Sequence, residues 1–409
     1  MWEAIQKNKI KSFVLICSMG IVLFLLGGAI GGTFAGPRQG VFGGVAIAGI
    51  IWFFLTVIAV TQGGNILLAF SGAREVAYND APQLYNIVEE MKIAAALPAV
   101  PKVYIIESRA PNAFAVSSGK DTAVAVTTGL LSILSRDELQ GVIAHEIGHI
   151  KNQDTRFMAI AGVMLGTIVI LADMFTRSLF YGQMFGSGGR RSRSNSRDGG
   201  NQLQLILFVI AILLAIIAPL LAQILYFACS RSREYLADAS AAIFTRLPEG
   251  LASALEKISS SSIPLEAANR VTAPMYIVNP LAAKGSSSFS LFSTHPPTQE
   301  RIKILRSMAG GASISEYNRA FREMTGKNIL DPKSLMRSPE EQKLRGIKTE
   351  EMDNASYRRK TRDAMDILHR INNFLFIPCP CGLNIKVPPT FSGNSFKCPK
   401  CGKIHEVKK

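Results

Sequence analysis

Charge is what this chain lacks over long stretches. No Asp, Glu, Lys or Arg occurs in residues 12–36 or 39–73, and each run exceeds the ~20 residues that cross a bilayer as a helix. Those two gaps exclude a wholly soluble protein. Histidine is also scarce, with five among 409 residues. Cysteine is scarce outside the C-terminus, where Cys17 and Cys229 stand alone in apolar blocks and read as ordinary buried thiols. There are no internal repeats, which leaves aside solenoid architectures. Acidic residues are outnumbered, for a net charge of +15, and residues 301–409 hold 22 Lys/Arg against 11 Asp/Glu. No basic–aromatic repeat accompanies that excess, so no nucleic acid is expected as partner. Anionic lipid headgroups are the expected attraction.

Two further apolar blocks follow, 157–172 and 202–230. The first of these offers only about 24 Å of helix against a ~30 Å hydrocarbon core, so tilting, re-entry or a shallow path stay open for it. The N-terminal run is too long for a signal h-region and a second span follows at once, so a retained hairpin anchor is expected. Lys7, Lys9 and Lys11 place the chain start in the cytoplasm. The connector 177–201 carries Arg177, Arg190, Arg191, Arg193 and Arg197, which fits poorly with an external loop. Whether both later blocks span is left open.

His145-Glu146-Ile147-Gly148-His149 is the densest chemistry in the chain. Side chains four apart share one helical face, so two imidazoles can grip one zinc ion with Glu146 beside them. The plain alternative, a core helix with two satisfied histidines, must bury two rings and a carboxylate without a use. Two histidines leave a catalytic site one ligand short. Glu234 is the best third ligand, and Asp238, one turn on, can orient a ligand histidine. The competing reading is a solvated face with ion pairs to Arg231 and Arg233. His149 lies eight residues before one apolar block and Glu234 four after another. The site is therefore expected within roughly 10–15 Å of the lipid.

Around this motif the pattern predicts a helix over 75–96, strands at 102–107, 113–117 and 122–127, and a helix from Gly129. Ser135 with Glu138 reads as a capping box for the helix carrying the motif. A low-complexity segment occupies 186–200, helix resumes over 235–258, an irregular stretch covers 259–290, and helices recur at 298–308 and within 315–370. The fold class is α+β, a membrane-anchored zinc peptidase domain with a small, mostly antiparallel sheet and a helical bundle.

Two apolar spans, H-E-x-x-H, two more apolar blocks and the Glu234/Asp238 pair together resemble the HtpX-like membrane zinc metallopeptidases, of gluzincin type. The resemblance covers about residues 1–308. It implies Glu234 as third ligand, an active site on the cytoplasmic side and a role in membrane-protein quality control. Pro111-Asn112-Ala113-Phe114-Ala115 is similar to that family's edge-strand motif, implying that Asn112 and Ala113 bind substrate backbone. Ser293-Thr294-His295-Pro296-Pro297 and the following residues to Arg301 are similar to its His-Pro motif. His295 is then a candidate catalytic group for the oxyanion, or a structural histidine at a turn. Arg301 reads as a structural ion-pair partner.

Beyond that resemblance, Cys379-Pro380-Cys381 and Cys398-Pro399-Lys400-Cys401 can close a tetrahedral site, a zinc ribbon in a module too short for an apolar core. The spacing of the first pair is one residue shorter than usual.

The expected organisation is a transmembrane hairpin (1–71), a peptidase domain (72–310), a charged helical linker (311–376) and the ribbon (377–409). The expected protein is a multi-pass inner-membrane zinc endopeptidase. It would hold one catalytic and one structural zinc and cleave polypeptides, membrane proteins among them, in contact with lipid. The rivals are an inactive zinc-stabilised adaptor and a prenyl-protein processing peptidase. Natural substrates and oligomeric state are not set by these residues.

Overall fold

The computed structural model describes residues 2–118, 120–185, 200–261, 263, 276–277, 296–308, 311–329, 344–345 and 354–407. The low-complexity segment at 186–199, most of 259–290 and much of 326–353 lie outside the described residues.

The two uncharged runs form α1 (Trp2–Ala35) and α2 (Val41–Phe70), joined by a π-helical turn at Gly36–Gly40. The pair packs antiparallel at glycine contacts. A Cβ on Gly31 would lie 2.1 Å from the Gly40 carbonyl oxygen, and one on Gly44 would lie 2.1 Å from that of Gly27. Small residues permit that approach where lipid supplies no hydrophobic drive.

The later blocks form α6 (Asp154–Phe185) and α7 (Gly200–Thr245). Among the described residues, Phe13–Phe70, Asp154–Ser178 and Leu205–Thr245 are helical runs long and apolar enough to cross a membrane. Block three is longer than its uncharged core because Asp173 does not stop it. Arg177, one turn on, pairs with Asp173 at 2.7 Å. Block four does not end at Ser230 either. α7 runs unbroken for 46 residues through Pro219 and on past Glu234 and Asp238.

Inside the bundle, Met19, Leu23, Leu26, Met164 and Ile168 pack against Ala211, Ala215, Ala218 and Ala222 of α7. Phe53, Phe54, Leu213, Ile216 and Leu220 point outward, exposed, as a lipid-facing belt requires.

The soluble part is built on β1 (Arg74–Glu75), β2 (Lys102–Ile106), β3 (Ala113–Ser118) and β4 (Asp121–Thr127), ordered β1-β2-β4-β3. β1 with β2 and β3 with β4 are antiparallel, while β2 and β4 are parallel. The chain between β2 and β3 crosses the sheet end and sets β3 on the outer edge. α3 (Pro82–Ala94) starts later than the sequence suggests. Glu75 is in β1, Asp80 Oδ2 accepts the Ala77 N–H in a turn, and Pro82 suits a first helical turn because it has no N–H to satisfy.

α4 (Thr128–Ile133) leads to α5 (Arg136–Lys151), which is buried along nearly its whole length between the sheet, α7 and α8 (Pro248–Ser260). Val142, Ile143, Ala144 and Ile147 pack there with Val124, Val126, Ala239, Ala242, Leu251 and Leu255. Close approach is again through glycine, since a Cβ on Gly141 would meet the Leu251 nitrogen at 2.7 Å.

α9 (Thr298–Arg306), α10 (Ile314–Thr325) and α11 (Asn354–Ile371) follow. α11 packs on α4, with Lys360 Nζ donating to the Leu134 carbonyl. Two short hairpins end the chain, β5 (Leu375–Pro378) with β6 (Asn384–Val387) and β7 (Ser395–Lys397) with β8 (Ile404–Glu406). An ion pair between Lys386 and Asp366 ties them to α11.

Candidate active site

α5 is started by the expected capping box. Ser135 Oγ accepts the Glu138 N–H and Glu138 Oε2 accepts the Ser135 N–H. Ten residues into this rigid, buried helix, His145 and His149 stand edge to face with Nε2 atoms 3.2 Å apart. Glu234 arrives from α7, with Oε1 3.4 Å from His149 Nε2 and Oε2 3.8 Å from His145 Nε2. These three residues form a group able to hold a metal ion. Two ligands of a tetrahedral zinc ion are about 3.3 Å apart, given zinc–ligand bonds near 2.0–2.1 Å. The donor set therefore fits zinc in kind and in spacing.

Each imidazole is backed by a carboxylate. His145 Nδ1 is 2.9 Å from Asp238 Oδ1, and His149 Nδ1 is 3.1 Å from Asp154 Oδ2. The carboxylates hold a proton on each Nδ1 and leave Nε2 as the ring atom that faces the site. Asp238 is in turn gripped by Arg301, whose Nε and Nη2 donate at 2.8 and 2.7 Å. Nη1 of Arg301 also reaches the Ile277 carbonyl at 3.0 Å and Glu234 Oε2 at 3.2 Å. Asp154 pairs with Arg233.

Glu146 is fully buried and accepts the Ala115 N–H, while its Oε1 has no hydrogen-bond partner among the described residues. Burial pushes its carboxyl up to about 8, with Glu234 adding to the rise and His149, Arg301 and the Ala115 N–H opposing it. Burial also pushes His145 down to about 4, against the pull of Asp238. Burial disfavours charge on His149 too, but Asp154 and Glu234 outweigh it and push this imidazole up to about 10.

The family model described as Peptidase family M48 matches residues 79–309. The chain belongs to peptidase family M48. It is 47% identical over 310 residues to a "Protease HtpX homolog" of Dictyoglomus thermophilum, covering 75% of this chain and 94% of the relative. A relative of the same name from Listeria monocytogenes is 40% identical over 310 residues, covering 75% of this chain and 100% of its own. Among solved structures, S. mikatae Ste24p aligns over 75% of this chain and 67% of its own, at 19% identity and a TM-score of 0.40, too loose a likeness to bear on the site. This M48 protein is a membrane metallopeptidase, a hydrolase of peptide bonds.

The M48 site includes residues that sequence reasoning passed over. Asp154 is five residues beyond His149, past a turn in which Gln153 has φ +62°, so no helical register points to it. Arg233, a partner in a solvated ion pair only in the competing reading, is buried against Phe157. Arg301 has the ion-pair role expected of it, but at the metal centre itself. His295 lies outside the described residues, which resume at Pro296.

Ala113 opens β3, the outer strand beside the site, Asn112 precedes it, and both are buried. Asn112 Oδ1 accepts the Ala113 N–H, and the Ala113 carbonyl accepts the Ile277 N–H at 3.0 Å. At the far end of β3, a Cβ on Gly64 of α2 would lie 3.0 Å from the Ser117 carbonyl oxygen. The strand edge is thus lined by the chain itself at both ends.

At the C-terminus of the peptidase, past the family match, Cys379, Cys381, Cys398 and Cys401 gather with all four sulfurs within 4.8 Å of one another. Cys379 Sγ lies 3.4 Å from Cys401 Sγ, and Cys381 Sγ 3.7 Å from Cys398 Sγ. Sulfur ligands about 2.3 Å from a tetrahedral zinc ion are about 3.8 Å apart, so this group also suits the metal. Gly382 and Gly402, at φ +83° and +74°, turn the two knuckles, and their N–H groups bond back to Cys379 and Cys398. The backbone N–H groups of Cys401 and Lys400 hold the Cys398 thiol below its ordinary range, against the effect of burial. The shortened first pair closes as well as the second.

Proposed function

We propose that this M48 peptidase is a zinc endopeptidase that cuts membrane-associated polypeptides at the cytoplasmic face of the inner membrane, in protein quality control. The observation that carries the reading is the convergence of His145, His149 and Glu234 beside a buried carboxylate oxygen on Glu146 that lacks a partner among the described residues. Zinc held there would acidify a water and polarise the scissile carbonyl. Glu146 takes the proton of the attacking water on Oε1 and returns it to the leaving amine. Its raised affinity for protons, a product of burial, suits that two-way transfer. His295 remains a candidate for oxyanion stabilisation. Arg301 holds Asp238, and through it His145, in place.

The substrate backbone extends along β3. It meets Asn112 and takes the Ala113 carbonyl in place of the Ile277 N–H. The far end of this strand abuts the membrane helices, with Ser118 Oγ bonded to the Thr61 carbonyl and Ser117 Oγ to Thr155 Oγ1. A polypeptide leaving the bilayer therefore reaches β3 by a short path. Lys7, Lys9 and Lys11 support the cytoplasmic side.

The four cysteines hold a second, structural zinc. Neither the adaptor nor the prenyl-processing reading gains support from the family match. Detergent-purified protein should cleave casein and a membrane-protein substrate, with activity lost in Glu146→Gln and two zinc ions per chain. Equal cleavage by Glu146→Gln would remove the general-base assignment.

A further inference from the structure

Asp154 and Arg233 meet where two membrane helices reach the site. Asp154 is the first residue of α6, and Arg233 immediately precedes Glu234 on α7. Both are buried, at 1% and 3% exposure. Asp154 uses one oxygen for His149 Nδ1 and the other for Arg233. The guanidinium carbon of Arg233 rests 3.8 Å over the ring of Phe157, one turn along α6. A buried ion pair is weak evidence of a stability role, because apolar side chains of similar volume often do as well. This one touches a histidine of the metal centre. The matching support of His145 differs in origin, since Arg301 comes from α9 in the soluble domain.

We propose that the Asp154–Arg233 pair is a positioning element that fixes His149 and makes metal affinity at the active site depend on how α6 packs against α7. The inference rests on His149 being a metal ligand. Asp154 accepts the Nδ1–H and so aims Nε2 at Glu234. Arg233 satisfies the second carboxylate oxygen and fixes its rotamer, while Phe157 fixes the guanidinium plane. If α6 and α7 slide apart, the arginine leaves the aspartate, and His149 loses its orientation. Asp238, which supports His145, is also on α7 but is gripped by Arg301 from α9, so loss of the Asp154–Arg233 contact bears first on His149.

The test uses zinc-loaded, full-length protein in lipid nanodiscs and follows zinc transfer to a competing chelator. Cys398→Ser identifies the ribbon's share of the signal. Asp154→Asn and Arg233→Met should each weaken zinc binding at the active site about 10–100-fold, with the ribbon's share unchanged. The double variant should be no weaker than the worse single one, because Arg233 acts through Asp154. Arg233→Lys, which keeps the ion pair and so protects the fold, should fall between wild type and Arg233→Met. Moving wild type from bilayer to detergent should hasten zinc loss, and Asp154→Asn should lack that dependence. Unchanged affinity in Asp154→Asn, equal affinities in Arg233→Lys, Arg233→Met and wild type, or fully additive losses in the double variant would each overturn the proposal. His149→Ala separates the two readings. If it leaves active-site zinc in place, the ligand assignment fails; if it removes the zinc while Asp154→Asn does not, only the positioning role fails.

Discussion

The two metal-binding groups of this peptidase are built by opposite means. His145, His149 and Glu234 come from two long helices, 16 and 46 residues, packed into the main core. Their positions are set by tertiary packing and by carboxylate–arginine supports. The four cysteines stand on two-stranded hairpins of three or four residues per strand, with little apolar packing around them. Two-stranded hairpins are marginal alone in water. One site is formed by the fold; the other, as proposed, would form its fold through the metal.

Breaking the cysteine site should therefore have the largest effect. Cys398→Ser should abolish amide-exchange protection across 375–407 while α5 keeps its own, a local loss on the order of 10 kcal/mol of metal-linked folding energy. Protection persisting in that variant would show hairpins that stand without metal. At the helical site, Glu146→Gln should reduce cleavage by about 10²–10⁴-fold with zinc content unchanged, a split that separates proton transfer from metal holding. Metal assay beside casein hydrolysis checks it.

Arg301→Met should leave Asp238 as an uncompensated buried charge and cost about 3–5 kcal/mol in a denaturant melt. The same melt on Lys386→Met, a pair at the module's surface, should move by about 1 kcal/mol or less. An effect smaller than that of Arg301→Met concerns the start of α5. Burial would raise the Glu138 carboxyl, but Lys257, Ser253 and the Ser135 N–H outweigh it and leave its pKa below the ordinary 4.5. That stabilisation is complete above the unfolded-state value and disappears as pH falls through the lower folded one. The loss should be about 1–3 kcal/mol and be absent in Glu138→Gln. A Glu138→Gln melt with the same acid dependence as wild type would discount the carboxylate.

The sequence carried the parts of the site that obey local spacing. H-E-x-x-H and the Ser135–Glu138 cap repeat at helical intervals, and β3 and β4 are short apolar runs that pair as neighbours in the chain. Glu234 and Asp238 could be paired by their spacing of four. Asp154 could not, because the turn at Gln153 breaks the register between it and His149. The burial of Arg233 was hidden for a related reason. A run of Arg and Glu after an apolar block looks like a helix emerging into water, and only the packing of α6 shows that it enters a core. Block three looked short because charge was taken as its end, although a side-chain pair one turn apart carries the helix past Asp173. The strand edge at Ala113 seemed open because nothing in the local sequence announces Ile277.

The uninterrupted course of α7 has a consequence for where this activity can exist. Glu234 and Asp238 lie on the same rod as the lipid-facing Leu213, Ile216 and Leu220, with no loop between them at which a protease could cut. Severing that rod above the bilayer would turn the segment bearing Arg233 and Glu234 into a fraying terminus, since a helix's first turn lacks its internal hydrogen bonds. A catalytic fragment cannot be shed from the membrane intact. The enzyme is confined to its membrane by the same backbone that completes its metal site, and release from the bilayer is equivalent to inactivation.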